Sequence, residues 1–205
     1  MKISDIQVEI KEHPRLTQLF VRVIQEDGLS GIGECWWGIS PGAAGDKNFQ
    51  ANHQVLPMVS TIENILKPLL IGEDARQIEA RFQQMVHYAY RYGIEGILGC
   101  ALSGIDLALW DLAGKRLQVP VVELLGGQAK EGIRAYASLP PLRDPDRIRL
   151  ETERVMSAGF QGVKLHEYDP DMAGLVRDVA GPEMAIMFDV NGHFDLAEAT
   201  AVAEE

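Results

Sequence analysis

The sequence predicts a small α+β domain followed by the opening strand-helix units of an α/β domain. Three patterns carry that reading. Residues near the amino terminus alternate apolar and polar, a middle stretch repeats apolar residues at helical spacing, and after Gly126-Gly127 strand and helix patterns take turns.

Ile3, Ile6, Val8 and Ile10 alternate with polar neighbours over residues 3–10, and a β-branched run from Thr17 to Ile24 precedes the turn Glu26-Asp27-Gly28. With Gly31 to Trp36 as a third strand, this is an antiparallel meander. The segment Trp37 to Asp46 is too rich in Gly and Pro for regular structure and reads as a long loop. Helical periodicity follows, with Val55, Met58, Val59, Ile62, Ile65 and Leu66 on one face before Pro68, then Ile78, Phe82, Met85 and Val86 on another. From Ile94 to Leu117 a third helix is apolar almost all round, so it should be buried.

Three strand-helix units come next. The first pairs Ile133–Leu139 with a helix from about Pro145; the second pairs Phe160–His166 with a helix opened by Asp169-Pro170. The third pairs Met184–Asn191 with a helix capped by Asp195. Such repeats build a parallel sheet covered by helices. A closed barrel of eight units takes about 250 residues and at least roughly 200. Three units cannot close one, so the sequence predicts an incomplete barrel with open edges that self-associates into a homo-oligomer or is completed by a carboxy-terminal half outside this chain.

The second and third of these strands end in charge. Side chains alternate along a strand, so Val163 and Leu165 point one way and Lys164 and His166 the other. The same alternation sets Ile186, Phe188 and Val190 against Met187, Asp189 and Asn191. An amine, an imidazole, a carboxylate and an amide are thereby expected at the carboxyl ends of neighbouring strands, where strand-helix folds place their active sites.

Composition narrows the options. The chain has 205 residues, 46% hydrophobic and 24% charged, as ordinary soluble domains do. A formal charge of −11 argues against a nucleic-acid surface, which relies on clustered Lys and Arg. Two cysteines, Cys35 and Cys100, make no disulfide framework and suit a reducing compartment. The amino terminus lacks the apolar core of a signal peptide, and no run was expected to reach the roughly 20 apolar residues of a membrane span. The expectation is a cytoplasmic protein with no membrane and no nucleic-acid partner.

One segment says more. Ala101-Leu102-Ser103-Gly104-Ile105-Asp106-Leu107-Ala108-Leu109-Trp110-Asp111-Leu112-Ala113-Gly114-Lys115, with Pro120-Val121-Val122-Glu123-Leu124-Leu125-Gly126-Gly127, resembles the signature helix of the mandelate racemase and muconate lactonising enzyme group of the enolase superfamily. Gly31-Ile32-Gly33-Glu34 and a first barrel strand at Arg134-Ala135-Tyr136-Ala137-Ser138 are similar in the same order. The resemblance implies an α+β capping domain over 1–127 and the first three units of a TIM-type α/β barrel over 128–205. Asp106 and Asp111 carry the signature but read as buried, hydrogen-bonded packing groups between domains.

The resemblance also implies chemistry. Enolase-superfamily sites take the proton next to a carboxylate with a Lys or His base while Mg²⁺ stabilises the ene-diolate. Asp189 is then the first metal ligand. Lys164-Leu165-His166 stands where the family keeps Lys-x-Lys, and the second position departs from it. His166 is expected to move the proton and Lys164 to face the substrate carboxylate, with the reverse assignment open. Burial beside a cation would depress the pKa of either group. Asn191 resembles the family's substrate-binding amide, and His193 is either a further acid or a solvent-exposed turn residue. In the capping domain, His13 or Arg15 would hold a polar acid and Trp37 would exclude water.

The implied partner is a small carboxylic acid, with a sugar acid favoured by the polar Lys and His pair, and the implied reaction is its dehydration. Racemase, epimerase and cycloisomerase reactions stand beside it, as do a non-catalytic binding or assembly role and one half of a split enzyme. One carboxylate cannot hold Mg²⁺ tightly, because that ion takes several oxygen ligands. The 205 residues alone are expected to be inactive.

Overall fold

The computed structural model describes residues 1–11, 17–35, 51–128 and 130–204. The chain forms two compact units, Met1–Ala129 and Lys130–Glu205.

In the first unit β1 (Ile3–Lys11), β2 (Gln18–Gln25) and β3 (Ser30–Cys35) form an antiparallel meander in the order β1-β2-β3. The turn between β2 and β3 is tied by the Asp27 carboxylate, which accepts from Leu29 N at 3.0 Å, and Gly28 takes the left-handed φ of 83° that the turn requires. Across the ladders the register places Ile6 opposite Val23 opposite Gly31, Val8 opposite Val21 opposite Gly33, and Ile10 opposite Leu19 opposite Cys35. This face is apolar on β1 and β2 and small on β3.

The helices explain the small residues. α1 (Ala51–Thr61) passes through a π-helical turn over Ile62–Leu66 into the short α2 (Lys67–Leu70), followed by α3 (Ile78–Ala89), α4 (Ile97–Leu117) and α5 (Val121–Leu124). α4 lies directly on β3. A methyl group on Gly33 would land on the Gly104 carbonyl and one on Gly31 on the Ala108 carbonyl. A methyl on Gly104 would strike Cys35 Sγ. The glycines of Gly31-Ile32-Gly33 and the small residues of the signature helix are therefore two halves of one close approach. Ile105, Leu109 and Leu112 on α4 meet Leu19, Val21 and Val23 in the core. Burial pushes the Cys35 thiol up to about 12, which suits an inert core residue.

Some boundaries differ from expectation. Pro68 opens α2 rather than ending a helix, because proline is tolerated in a first turn. α4 starts at Ile97, not Ile94, because Gly93 and Gly96 adopt φ of 80° and 64°. α4 is also long and apolar enough to cross a membrane by length and composition, contrary to expectation. Its buried Ile105, Leu109 and Leu112 make it a core helix here. Asp106 and Asp111 are half-buried rather than buried. Asp111 Oδ2 accepts from Ile32 N at 2.8 Å and from Lys115 Nζ at 2.6 Å, so it fastens α4 to β3. Burial, helped by Glu79, raises the Asp106 carboxyl while Trp110 opposes the shift.

The second unit is a parallel sheet in the order β4 (Ala137–Ser138), β5 (Gly162–Leu165), β6 (Ala185–Phe188). α6 (Pro145–Ser157), α7 (Asp171–Ala180) and α8 (Leu196–Glu204) follow the strands in turn. Asp144 caps α6 by accepting from Asp146 N at 2.9 Å, and Asp195 caps α8 through Ala197 N and Glu198 N. Val163 and Leu165 point into a core with Ile148, Val155 and Val176. The strands are shorter than their sequence patterns. Ile133 is 90% exposed, and of the first pattern the ladder holds Ala137 and Ser138.

Candidate active site

The carboxyl ends of β5 and β6 gather three of the expected residues. Parallel register sets Leu165 beside Phe188, and Asp189 N donates to Leu165 O at 2.9 Å, which carries Asp189 one step past β6 to the level of His166. Val163 and Leu165 are anchored in the core, so alternation turns Lys164 to the opposite face. Lys164 Nζ donates to Asp189 Oδ2 at 3.0 Å, and His166 Nε2 lies 3.6 Å from the same oxygen.

Each group is oriented by a further partner. Asp189 Oδ1 accepts from Asn191 N at 3.0 Å, a turn in which Asn191 adopts a φ of 49°. That bond, followed by the one from Lys164, holds the Asp189 carboxyl below its ordinary range. The hydrogen bond to Asp189 raises the Lys164 ammonium, outweighing burial. The shift is upward because the neighbour among the described residues is a carboxylate. His166 Nδ1 is 2.6 Å from Leu139 O. A carbonyl oxygen only accepts, so Nδ1 carries a proton, and Nε2 is the ring nitrogen that faces the Asp189 side.

Other expected residues go elsewhere. β6 ends at Phe188, so strand alternation does not carry Asn191, which sits in the turn by virtue of its backbone. His193 is exposed and stacks on Tyr168, with ring centres 3.9 Å apart and planes 11° apart. His13, Arg15 and Trp37 lie outside the described residues. Sequence reasoning passed over Glu167, Tyr168 and Arg143. Glu167 is 2% exposed, and Arg143 reaches both its carboxylate, at 3.1 Å, and the face of the Tyr168 ring, at 3.9 Å. The available signal was the run His166-Glu167-Tyr168 directly after Leu165, where polar residues follow one another without strand alternation.

Among the described residues no group of three or more His, Cys, Asp or Glu side chains is placed to hold a metal ion. Mg²⁺ requires near-octahedral oxygen coordination, and Asp189 is one carboxylate already engaged by Lys164 and Asn191. Among the described residues Asp189 is thus one oxygen donor of the several the ion takes.

Comparison with known proteins places these elements among relatives. The mandelate racemase / muconate lactonizing enzyme N-terminal domain matches residues 4–126. An arabinonate dehydratase of Saccharolobus solfataricus is 36% identical over 68% of this chain and 39% of that protein. A D-galactarolactone cycloisomerase of Agrobacterium fabrum is 29% identical over 100% of this chain and 55% of its own length. Among solved structures, the 3,6-anhydro-D-galactonate cycloisomerase of Zobellia galactanivorans superposes with a TM-score of 0.85 at 28% identity, covering 100% of this chain and 55% of that one. A mandelate racemase/muconate lactonizing protein of Paracoccus denitrificans complexed with magnesium gives 0.84 at 26% identity, covering 99% and 55%. The chain thus spans about half the length of the relatives it matches.

Proposed function

The chain belongs to the mandelate racemase / muconate lactonizing enzyme family of the enolase superfamily, and on that premise we propose that it is the part of a Mg²⁺-dependent enzyme that removes the proton next to a carboxylate, most simply to dehydrate a sugar acid. The observation that carries the proposal is the convergence of Lys164 and His166 on Asp189 at the carboxyl ends of two parallel strands. In this reading the first unit is the capping domain and the second is the start of the barrel.

The residues divide the work by their proton states. Lys164, kept as an ammonium by its bond to Asp189, attracts the substrate carboxylate and stays protonated. His166, with Nδ1 committed to Leu139 O, takes the proton at Nε2. A bound Mg²⁺ would offset the negative charge that develops on the deprotonated acid, and Asp189 is the oxygen donor these residues offer it. Asn191 and His193 border the same strand end as substrate contacts, and His13, Arg15 and Trp37 are proposed to select the acid. A cytoplasmic location is part of this proposal, supported by the two free cysteines.

The test is exchange of the C2 proton of a panel of aldonic and aldaric acids in deuterated water with Mg²⁺, followed by proton NMR. Exchange or dehydration should occur with the whole enzyme of which these residues are proposed to be a part, and vanish when it carries His166→Asn. Lys164→Met should raise KM far more than it lowers kcat. Undiminished exchange in His166→Asn overturns the assignment. Assayed by themselves, the 205 residues should show no turnover, since one carboxylate cannot hold Mg²⁺. The cycloisomerase relatives support a second reading, in which a lactone or anhydro sugar acid is isomerised; water loss or its absence in the product decides between them. A protein that binds such acids but exchanges no proton would favour the binding role.

A further inference from the structure

We propose that Glu167 is a positioning residue that fixes the proton of His166 on Nδ1 and so points the Nε2 lone pair at the reacting face; the proposal rests on the reading of His166 as the proton carrier. Glu167 and His166 are consecutive at the end of β5, and both reach the same loop between β4 and α6. His166 meets it at the Leu139 carbonyl, 2.6 Å from Nδ1. Glu167 meets it a few residues later, where Oε1 accepts from Leu142 N at 2.7 Å and from Arg143 N at 3.2 Å. Between the two anchor points stand Pro140 and Pro141, whose rings fix φ and give the loop little freedom. Holding Leu142 and Arg143 therefore also sets where the Leu139 carbonyl lies.

The cost of the arrangement argues that it is specific. Glu167 is 2% exposed, and an ionised carboxylate leaves water only where hydrogen bonds and a counter-charge replace its hydration. Two backbone N–H groups and the Arg143 guanidinium, 3.1 Å from Oε2, supply them. Arg143 is in turn seated on the Tyr168 ring and holds a φ of 55°, which a non-glycine residue adopts only when its surroundings impose it. A surface loop needs none of this to cover a helix end. It is what placing one carbonyl oxygen beside one imidazole nitrogen takes.

The proposal is tested by long-range ¹⁵N–¹H NMR of the histidine rings at a fixed pH above the ordinary imidazole range, where the rings are neutral. The wild-type protein should show His166 almost wholly as the Nδ1–H tautomer. Glu167→Ala leaves two loop N–H groups unpaired and should shift His166 about tenfold toward the Nε2–H form that free imidazole side chains favour, in keeping with the loss of charge-assisted hydrogen bonds. Glu167→Gln keeps an oxygen acceptor but sets an amide NH₂ against the Arg143 guanidinium, so its shift should be smaller and in the same direction. If Glu167→Ala does not fold, the glutamine variant decides. A wild-type His166 protonated on Nε2, or wild-type tautomer ratios in the folded variants, overturns the proposal. The measurement needs no turnover, so a whole enzyme inactive in the exchange assay, with the tautomer shifted in Glu167→Ala, would sink the proposed function and leave the positioning role standing.

Discussion

Two aspartate–lysine pairs use the same chemistry in the two units to opposite ends. On α4, Asp111 Oδ2 takes Lys115 at 2.6 Å and Ile32 N at 2.8 Å, and Ile32 belongs to β3, far away in sequence. At the end of β6, Asp189 takes Lys164 at 3.0 Å through Oδ2 and Asn191 N at 3.0 Å through Oδ1, and Asn191 is only two residues on. The first carboxylate closes a tertiary seam. The second closes a local turn and leaves its charge pair facing out of the strand ends. What separates structure from function here is therefore not the pair itself but how far away its backbone partner lies.

The seam is the place to strike hardest. Gly33→Ala sets a methyl group against the Gly104 carbonyl, and neither side is a flexible chain end. Either α4 moves off β3 or the strand bends, so the cost is expected at about 3 kcal/mol or more, read as a lower denaturant midpoint in urea unfolding followed by circular dichroism. Wild-type stability would mean that α4 is not seated on β3 as described. The Lys164 and Asp189 pair should be unaffected in whatever fraction remains folded.

Removing the two carboxylates is the direct comparison. Asp111→Ala leaves Ile32 N unpaired at the edge of the core and should cost about 1–3 kcal/mol in the same assay. Asp189→Ala should cost only about 0.5 kcal/mol or less, because its partners are a solvent-accessible lysine and a turn amide. Equal losses for both would erase the distinction. A stability loss confined to Asp189→Ala would reverse it.

How much of this the sequence displayed follows from the same contrast. Alternation on β1 and β2 and the helical spacing before α3 are local patterns, and they appear where expected. The pairing of Gly31 and Gly33 with Gly104 and Ala108 was hidden, because a glycine in a strand does not announce which helix approaches it. At the strand ends, Lys164 and His166 were legible because alternation around Val163 and Leu165 leaves them no other face, and Asp189 because it follows directly on Phe188 of β6. Asn191 was misplaced by carrying that alternation past Phe188, where the backbone turns left-handed at φ 49°. Glu167 was missed because its partners, Leu142 and Arg143, lie in a loop with no sequence period of its own. His13, Arg15 and Trp37 rest on resemblance alone.

The smallest effect is also the one whose sign is fixed in advance. Asp189 is lowered in the folded chain by Asn191 N and Lys164, so its contribution to stability is present above the ordinary aspartate range and is lost as pH falls through the lowered value. Lys164 is raised by the same bond, so its contribution is present below the ordinary lysine range and is lost as pH rises through the raised value. Between the two limbs the pair adds a flat increment, kept small because both side chains are reached by water and screened by salt. The difference in unfolding midpoint between wild type and Asp189→Asn, followed from acid to alkaline pH, should trace that plateau at low ionic strength and flatten at high salt. The corresponding difference for Asp111→Ala should persist in salt, because the lost bond from Ile32 N is short, half-buried and owes little to the screened charge of Lys115. A salt-resistant plateau for Asp189 would mean that the strand-end pair is part of the scaffold, and the case for Lys164 as a group free to turn toward a substrate carboxylate would fall with it.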